Sequence, residues 1–257
     1  MKKILFIVAI IVVTACQTKV KKVNKDVQTI KESKKVLFVV TSHEELGETG
    51  NKTGYWLSEV SHVWHILSKE GFEIDFVSPD GGEAPIDPTS MDTNDSINIA
   101  FLENNKYQQK IKNTFKPIEV NPKDYSAIYF AGGHGTMWDF ADNEKLENIT
   151  ATIYENGGLV SAVCHGPSGL VNVKLRNGKN LLEGISVSGF TNEEESEIEL
   201  TDVVPFSLED ALINSGAKMN KAGLWQEQVT VDSRIITGQN PQSASAVGRM
   251  LLKKLEK

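Results

Sequence analysis

From residue 35 onward, short β-branched and aromatic runs alternate with amphipathic helical stretches, and that alternation limits the possible folds more than any other feature. Lys35 to Val40 reads as a first strand, and Leu57, Val60, Trp64 and Leu67 then recur at helical spacing, with Gly71 placed to stop that helix. Phe72 to Val77 and Ser126 to Phe130 are the next strands, Asn143 to Asn156 is helical, and Leu159 to Val163 is a further strand. Ile185 to Val187, Val229 to Val231 and Arg234 to Thr237 are more strand candidates, and Pro241 to Leu255 closes the chain as a helix. Continuously apolar strands are covered on both faces, which crossover helices on a parallel sheet provide. The expected class is therefore α/β, a single domain with a flavodoxin-like, doubly wound, mainly parallel sheet. In such sheets ligands bind beyond the carboxyl ends of the strands. The segment Ser78 to Asp95, with three prolines and two glycines, reads as a long loop able to shape a cleft.

Both glycine-rich turns fall at strand ends. One strand runs into Ala131-Gly132-Gly133-His134-Gly135-Thr136, and the run Leu159 to Val163 breaks at Cys164-His165-Gly166-Pro167. A buried strand that stops at a cysteine and restarts as a helix after glycine has the outline of a nucleophile elbow. A helix N-terminus there favours the thiolate, the nucleophilic form of the residue. Taken alone, the same pattern also fits a cysteine packed at the end of a core strand. The second turn favours chemistry, because N–H groups of Gly132 and Gly133, with that of His165, form an oxyanion hole, and His134 joins them as a substrate contact. The chain carries neither the lysine of a phosphate-binding loop nor a dinucleotide fingerprint, so acyl or carbonyl chemistry is favoured. A net charge of −7 leaves no basic footprint, and nucleic acid is not an expected partner. His62 and His65 stand three apart on the first helix, but no complete ligand set is legible and no metal is expected.

At the amino end, Lys2 and Lys3 precede an apolar run from Ile4 to Val13, too short to span a bilayer and suited to a secretory leader. It ends in Val13-Thr14-Ala15-Cys16, the pattern of a bacterial lipobox. The expectation is a signal peptide over 1–15, lipidation at Cys16, a lysine-rich flexible tether over 16–34 and the folded domain over 35–257. Such a protein is held in the cell envelope by a membrane-inserted lipid. Gln17 offers no inner-membrane retention signal, so the expected site is the outer membrane, facing the periplasm. Cys164 is then a lone thiol.

Taken together, Ala131 to Thr136, Ala162 to Pro167, Gly189-Phe190-Thr191 and Thr237 to Pro241 resemble the DJ-1/PfpI superfamily, a class I glutamine amidotransferase-like group. More narrowly, they are similar to its heat-shock-chaperone branch, also described as glyoxalase III or glutathione-independent D-lactate dehydratase. The resemblance covers essentially all of 35–257. It implies that Cys164 is the nucleophile and that His165 is its general base or proton shuttle. It further implies an acidic partner for His165 at Glu195, with Glu193 and Glu194 as competitors in the same run, the remainder of which reads as a solvated helix face. Glu59 matches the glutamate that reaches the nucleophile sulfur, and a carboxyl beside a thiolate is pushed towards its protonated form by like charge and burial. One departure is Val63, which follows His62 where the family commonly has proline. The implied activity converts methylglyoxal or a similar 2-oxoaldehyde, a small carbonyl substrate, to a 2-hydroxy acid without glutathione or any cofactor. The resemblance also implies a homodimer. A cysteine hydrolase (peptidase, amidase or protein deglycase), a holdase chaperone and a thiol stress sensor are the alternative readings.

Overall fold

The structure, a computed structural model, describes Met1 and residues 34–257. The rest of the expected leader, Cys16 and the tether up to residue 33 lie outside the described residues. The chain runs β1 (Lys35–Val39), α1 (Leu57–Lys69), β2 (Glu73–Val77), α2 (Ser96–Leu102), α3 (Asn105–Lys112), β3 (Ala127–Phe130), α4 (Thr136–Asp139), α5 (Glu144–Glu155) and β4 (Leu159–Val163). It continues through β5 (Ser186–Val187), α6 (Asn192–Glu197), α7 (Leu208–Asn214), β6 (Lys218–Met219), β7 (Val229–Asp232), β8 (Ile235–Gly238) and α8 (Ala244–Leu255).

The main sheet has the order β2-β1-β3-β4-β8-β7. Every neighbour pair in it is parallel except β7 with β8. All of β4 is buried, as are the last four residues of β1, which explains their unbroken apolar runs. The helix α1 buries Leu57, Val60, Val63, Trp64 and Leu67 on one stripe, and Gly71, with φ 81°, ends the connection to β2. It packs on α8, which also covers β4 and β8, while α5 packs on β3 and β4. From β1 the chain first winds outward to β2 and then returns to β3 on the other side. The reversal opens a crevice at the carboxyl ends of β1 and β3, beside the end of β4.

Several expectations need correction. Ile185 to Val187 yields only β5, which pairs with β6 in a separate two-stranded ribbon and takes no place in the main sheet. The closing segment begins with a 3-10 turn at Pro241–Ser243 before α8. After Cys164 the chain forms a short 3-10 turn, Gly166–Leu170, and not an α-helix. Two glycines and a proline in Gly166-Pro167-Ser168-Gly169 disfavour anything longer. The long loop after β2 behaves as read, and the stretch from Asp87 to Asp95 borders the crevice.

One backbone crossing fixes the crevice floor. Gly133 has φ 100°, and a Cβ there would lie 2.2 Å from the Gly54 carbonyl oxygen. Gly54 in turn leaves its own Cβ position within 2.1 Å of the Pro85 carbonyl. Side chains at either position would push apart the loops that follow β1, β2 and β3.

Candidate active site

Cys164 follows β4 in a left-handed backbone conformation, φ 58°, which a non-glycine residue adopts at a cost of about 1–3 kcal/mol. Hydrogen bonds on both sides hold it there. Its N–H donates to the Gly238 carbonyl at 3.0 Å, and its carbonyl accepts from the Phe190 N–H at 2.9 Å. Gly166 allows the following turn to lie directly on β3, because a Cβ there would meet the Phe130 carbonyl at 2.3 Å. The outcome is a sulfur lifted off the strand end, 3 % exposed, at the bottom of the crevice.

On one side of the sulfur stands His165, with Nδ1 3.3 Å from Sγ. Its Nε2 lies 2.8 Å from Glu195 Oε2. Burial raises the Glu195 carboxyl, but the neighbouring His165 and His134 imidazoles overcome this and hold it well below the usual carboxylate range. An ionised carboxylate only accepts, so His165 donates Nε2–H to it and turns the Nδ1 lone pair towards sulfur. Burial, reinforced by His134, lowers the His165 pKa below its ordinary 6.5, while Glu195 opposes that shift. The imidazole is therefore a neutral base at physiological pH. Of the three candidate glutamates, the one on the histidine is Glu195.

The other two divide in a way the sequence did not indicate. Glu193 is exposed, but Glu194 is fully buried. Its Oε2 accepts from the Thr191 N–H (3.2 Å) and hydroxyl (3.1 Å), completing a capping box on α6. Its Oε1 accepts from the Trp225 N–H (3.1 Å), Gln239 Nε2 (3.0 Å) and Asn240 Nδ2 (2.8 Å). The reading of Glu194 as part of a solvated helix face is thus wrong.

On the other side of the sulfur is Glu59, in the first turn of α1 and fully buried. Oε2 accepts the Gly132 N–H at 2.7 Å, and the Glu59 carbonyl accepts the Tyr129 hydroxyl at 2.7 Å. Oε1 is buried with no nitrogen or oxygen partner among the described residues, and the Cys164 thiol stands beside the carboxyl. Burial pushes Glu59 up to about 8, against the partial relief that Gly132 and Cys164 give. Cys164 is itself pushed up, by burial first and then by Glu59, with the His165 amide opposing. This corrects the expectation of a thiolate favoured by a helix N-terminus. The turn after Cys164 is too short to supply that field, and the nearest carboxyl works against ionisation. At neutral pH the pair holds its protons, and the unprotonated Nδ1 of His165 faces the sulfur.

The proposed oxyanion donors also divide. The Gly132 N–H is committed to Glu59, so it is not available to a substrate oxygen. Gly133 borders the crevice with Cys164 and His165. The His134 ring borders it too, but its Nε2 is bonded to Glu195 Oε1 at 3.0 Å, and the ring lies 4.2 Å from that of His165. His134 is therefore a second brace on Glu195 more than a free donor. Ligand atoms of His134, His165 and Glu195 lie within 4.8 Å of one another, a spacing compatible with a metal, yet both imidazoles are already bonded to the carboxylate. His62 does not join His65 as a ligand pair; it bonds Asp95 (2.6 Å) and Ser245 (2.8 Å).

Residues 52–254 match the model of the DJ-1/PfpI family. The chain is 36% identical over 226 residues to the glutathione-independent glyoxalase HSP31 of Saccharomyces cerevisiae, covering 82% of this chain and 93% of that one. It is 32% identical over 221 residues to Glyoxalase 3 of Candida albicans, with the same coverage of 82% and 93%. Among solved structures, the Rapid Encystment Protein 24 kDa of Francisella tularensis superposes with a TM-score of 0.83 at 46% identity, covering 86% of this chain and 98% of that one. The structure of glyoxalase III from Candida albicans gives 0.80 at 30% identity, with 85% and 96% covered.

Proposed function

This chain belongs to the DJ-1/PfpI family, and on that footing we propose that it is a glutathione-independent glyoxalase acting on 2-oxoaldehydes such as methylglyoxal. The observation that carries the proposal is the Cys164 sulfur set between a neutral, carboxylate-braced imidazole and a protonated buried carboxyl.

In the proposed reaction, His165 Nδ1 takes the Cys164 thiol proton as sulfur adds to the aldehyde carbon, then delivers it to the aldehyde oxygen, giving a hemithioacetal. Neutral again, His165 removes the C1 proton while Glu59 gives its own to the C2 oxygen, forming an enediol. His165 then protonates C2 and Glu59 recovers a proton from the C1 hydroxyl. The product of these steps is a thioester of the 2-hydroxy acid, with both groups back in their starting states. Water displaces the sulfur, which regains its proton, and lactate leaves when methylglyoxal is the substrate. Oxidation at C1 balances reduction at C2, so the electrons close within the substrate. Amides near Gly133 and His165 are the donors to the developing oxyanion. The deciding experiment supplies methylglyoxal without glutathione and quantifies lactate. Stoichiometric lactate is expected; aldehyde loss without lactate, or release of an amine from a peptide or amide instead, would replace this reading with the hydrolytic one.

We further propose that the protein is anchored through a lipid on Cys16 to the outer membrane, facing the periplasm, and acts as a homodimer. The support for the anchor is the Val13-Thr14-Ala15-Cys16 pattern behind an apolar run. Cells expressing the full chain are expected to label it with radioactive palmitate, and Cys16→Ala is expected to remove the label. Equal labelling of both proteins would refute the anchor.

A further inference from the structure

The crevice over Cys164 has a volume of about 890 Å³. That falls in the range of about 300–1,000 Å³ typical of pockets for drug-sized ligands. Methylglyoxal, with a single methyl group beside its carbonyls, would fill one corner of it. The charged residues at the rim are already engaged. Lys52 pairs with Glu44 and Glu45, and Asp87 accepts from Thr53 and Thr89. Asp95 is bonded to His62 and caps α2, and Asp92 accepts the Asn94 N–H. What remains for a substrate is largely apolar: Leu46, Trp56, Phe190, Ile198, Leu200 and Trp225.

Trp225 is held in place with unusual thoroughness. It has φ 58°, a conformation that bulky residues rarely adopt without being forced into it. Its N–H donates to Glu194, the same buried carboxylate that caps the helix carrying Glu195. The rest of its loop is fastened as well. The Ala222 N–H donates to Gln239 Oε1 (2.9 Å), Asn240 Nδ2 to the Gln226 carbonyl (2.9 Å), and the Gln228 N–H to Ser243 Oγ (3.0 Å). The Trp225 ring lies 5.7 Å from Phe190, whose ring lies 4.3 Å from His165. An aromatic wall thus runs outward from the imidazole beside the reactive sulfur, fixed before any substrate arrives.

We infer that Trp225, seated by Glu194, is a specificity-determining residue, and that the preferred substrates are 2-oxoaldehydes bearing an aromatic or similarly bulky apolar substituent. The inference rests on the glyoxalase reading: the two carbonyl carbons react at Cys164 while the substituent lies along Phe190 towards Trp225. The chemistry is the same internal transfer, so phenylglyoxal and water give mandelate with no added oxidant or reductant. Binding an apolar ring on a preformed apolar wall favours it over a methyl group, because the ring removes from water apolar surface that a methyl group does not have.

The test compares kcat/KM for phenylglyoxal (as mandelate) and methylglyoxal (as lactate) on the full chain. The wild-type ratio is expected to favour phenylglyoxal by about ten- to a hundredfold. Trp225→Ala is expected to bring the ratio close to one, mainly by raising KM for phenylglyoxal, whereas Trp225→Phe keeps most of the preference. A wild-type protein that turns over methylglyoxal at least as efficiently as phenylglyoxal overturns the inference and leaves the glyoxalase reading standing. A folded Trp225→Ala protein with an unchanged ratio also overturns it. Should the alanine protein fail to fold, the wild-type ratio and the phenylalanine variant still decide. Absence of turnover with both aldehydes defeats the glyoxalase reading and this inference together.

Discussion

Cys164→Ala is expected to abolish glutathione-independent lactate formation, with kcat falling by at least roughly a thousandfold. Among the described residues the fold gives no substitute. Cys164 is the one cysteine among the described residues, and the nearby Ser161 hydroxyl is buried within β4 with no hydrogen-bond partner. Alanine keeps the Cβ, so it meets the same backbone demand at φ 58° that cysteine meets, and the elbow survives. The melting temperature should therefore shift by only a few degrees, so a lost rate reports lost chemistry and not lost structure. Cys164→Ser sharpens the test. A hydroxyl in the same place is a far weaker nucleophile, and it too should be inactive towards methylglyoxal. Wild-type turnover in either variant would mean that the sulfur takes no part. A holdase activity, in contrast, would pass through Cys164→Ala untouched.

What could be read before the structure follows a physical pattern. Strands buried on both faces announce themselves, and Leu159–Val163 matches residue for residue. A cysteine followed by His-Gly-Pro at the end of such a strand has few structural explanations, so the elbow was legible. The short helices α2 and α3 were not. The second of them buries only Tyr107 and Ile111, too few residues for a periodic stripe, although Asp95 and Asn104 stand as side-chain caps at the two starts. Glu193, Glu194 and Glu195 are chemically identical in a string, and only the turn of α6 decides their fates. Thr191 at the N-cap draws Glu194 back onto itself and leaves Glu195 facing the histidines. Trp225 was invisible because its role depends on a backbone conformation set by residues distant in sequence. The protonation state of Cys164 is not legible in the sequence for a related reason. It depends on a carboxyl from α1 more than on the local turn.

That carboxyl gives the second large effect, because Glu59→Gln is expected to separate stability from catalysis. In the folded protein Glu59 is pushed up to about 8 from an ordinary 4.5. Below 4.5 it is protonated in both states. Between about 4.5 and 8 the unfolded chain loses this proton while the folded one keeps it, so the contribution of Glu59 to stability declines as pH rises and levels off above about 8. Within the window the slope is about 1.4 kcal/mol per pH unit. Glutamine presents the same two contacts as the protonated acid, an oxygen for the Gly132 N–H and a donor for the sulfur, but it does not ionise. Urea titrations across the window should show the variant gaining on the wild type as pH rises, and the difference cancels titrating groups that do not touch Glu59, including Asp139, which burial pushes up to about 7. Catalysis moves the opposite way. Glutamine neither gives a proton to the C2 oxygen nor takes one back, so kcat should fall by about a hundred- to ten-thousandfold with little change in KM. The wild-type kcat/KM should decline as pH rises through about 8, because the reaction starts from protonated Glu59, and the residual activity of the variant should lack that alkaline limb. A Glu59→Gln protein that is both more stable at pH 8 and within tenfold of the wild-type rate would show that the buried carboxyl serves the sulfur's surroundings and moves no proton in the reaction.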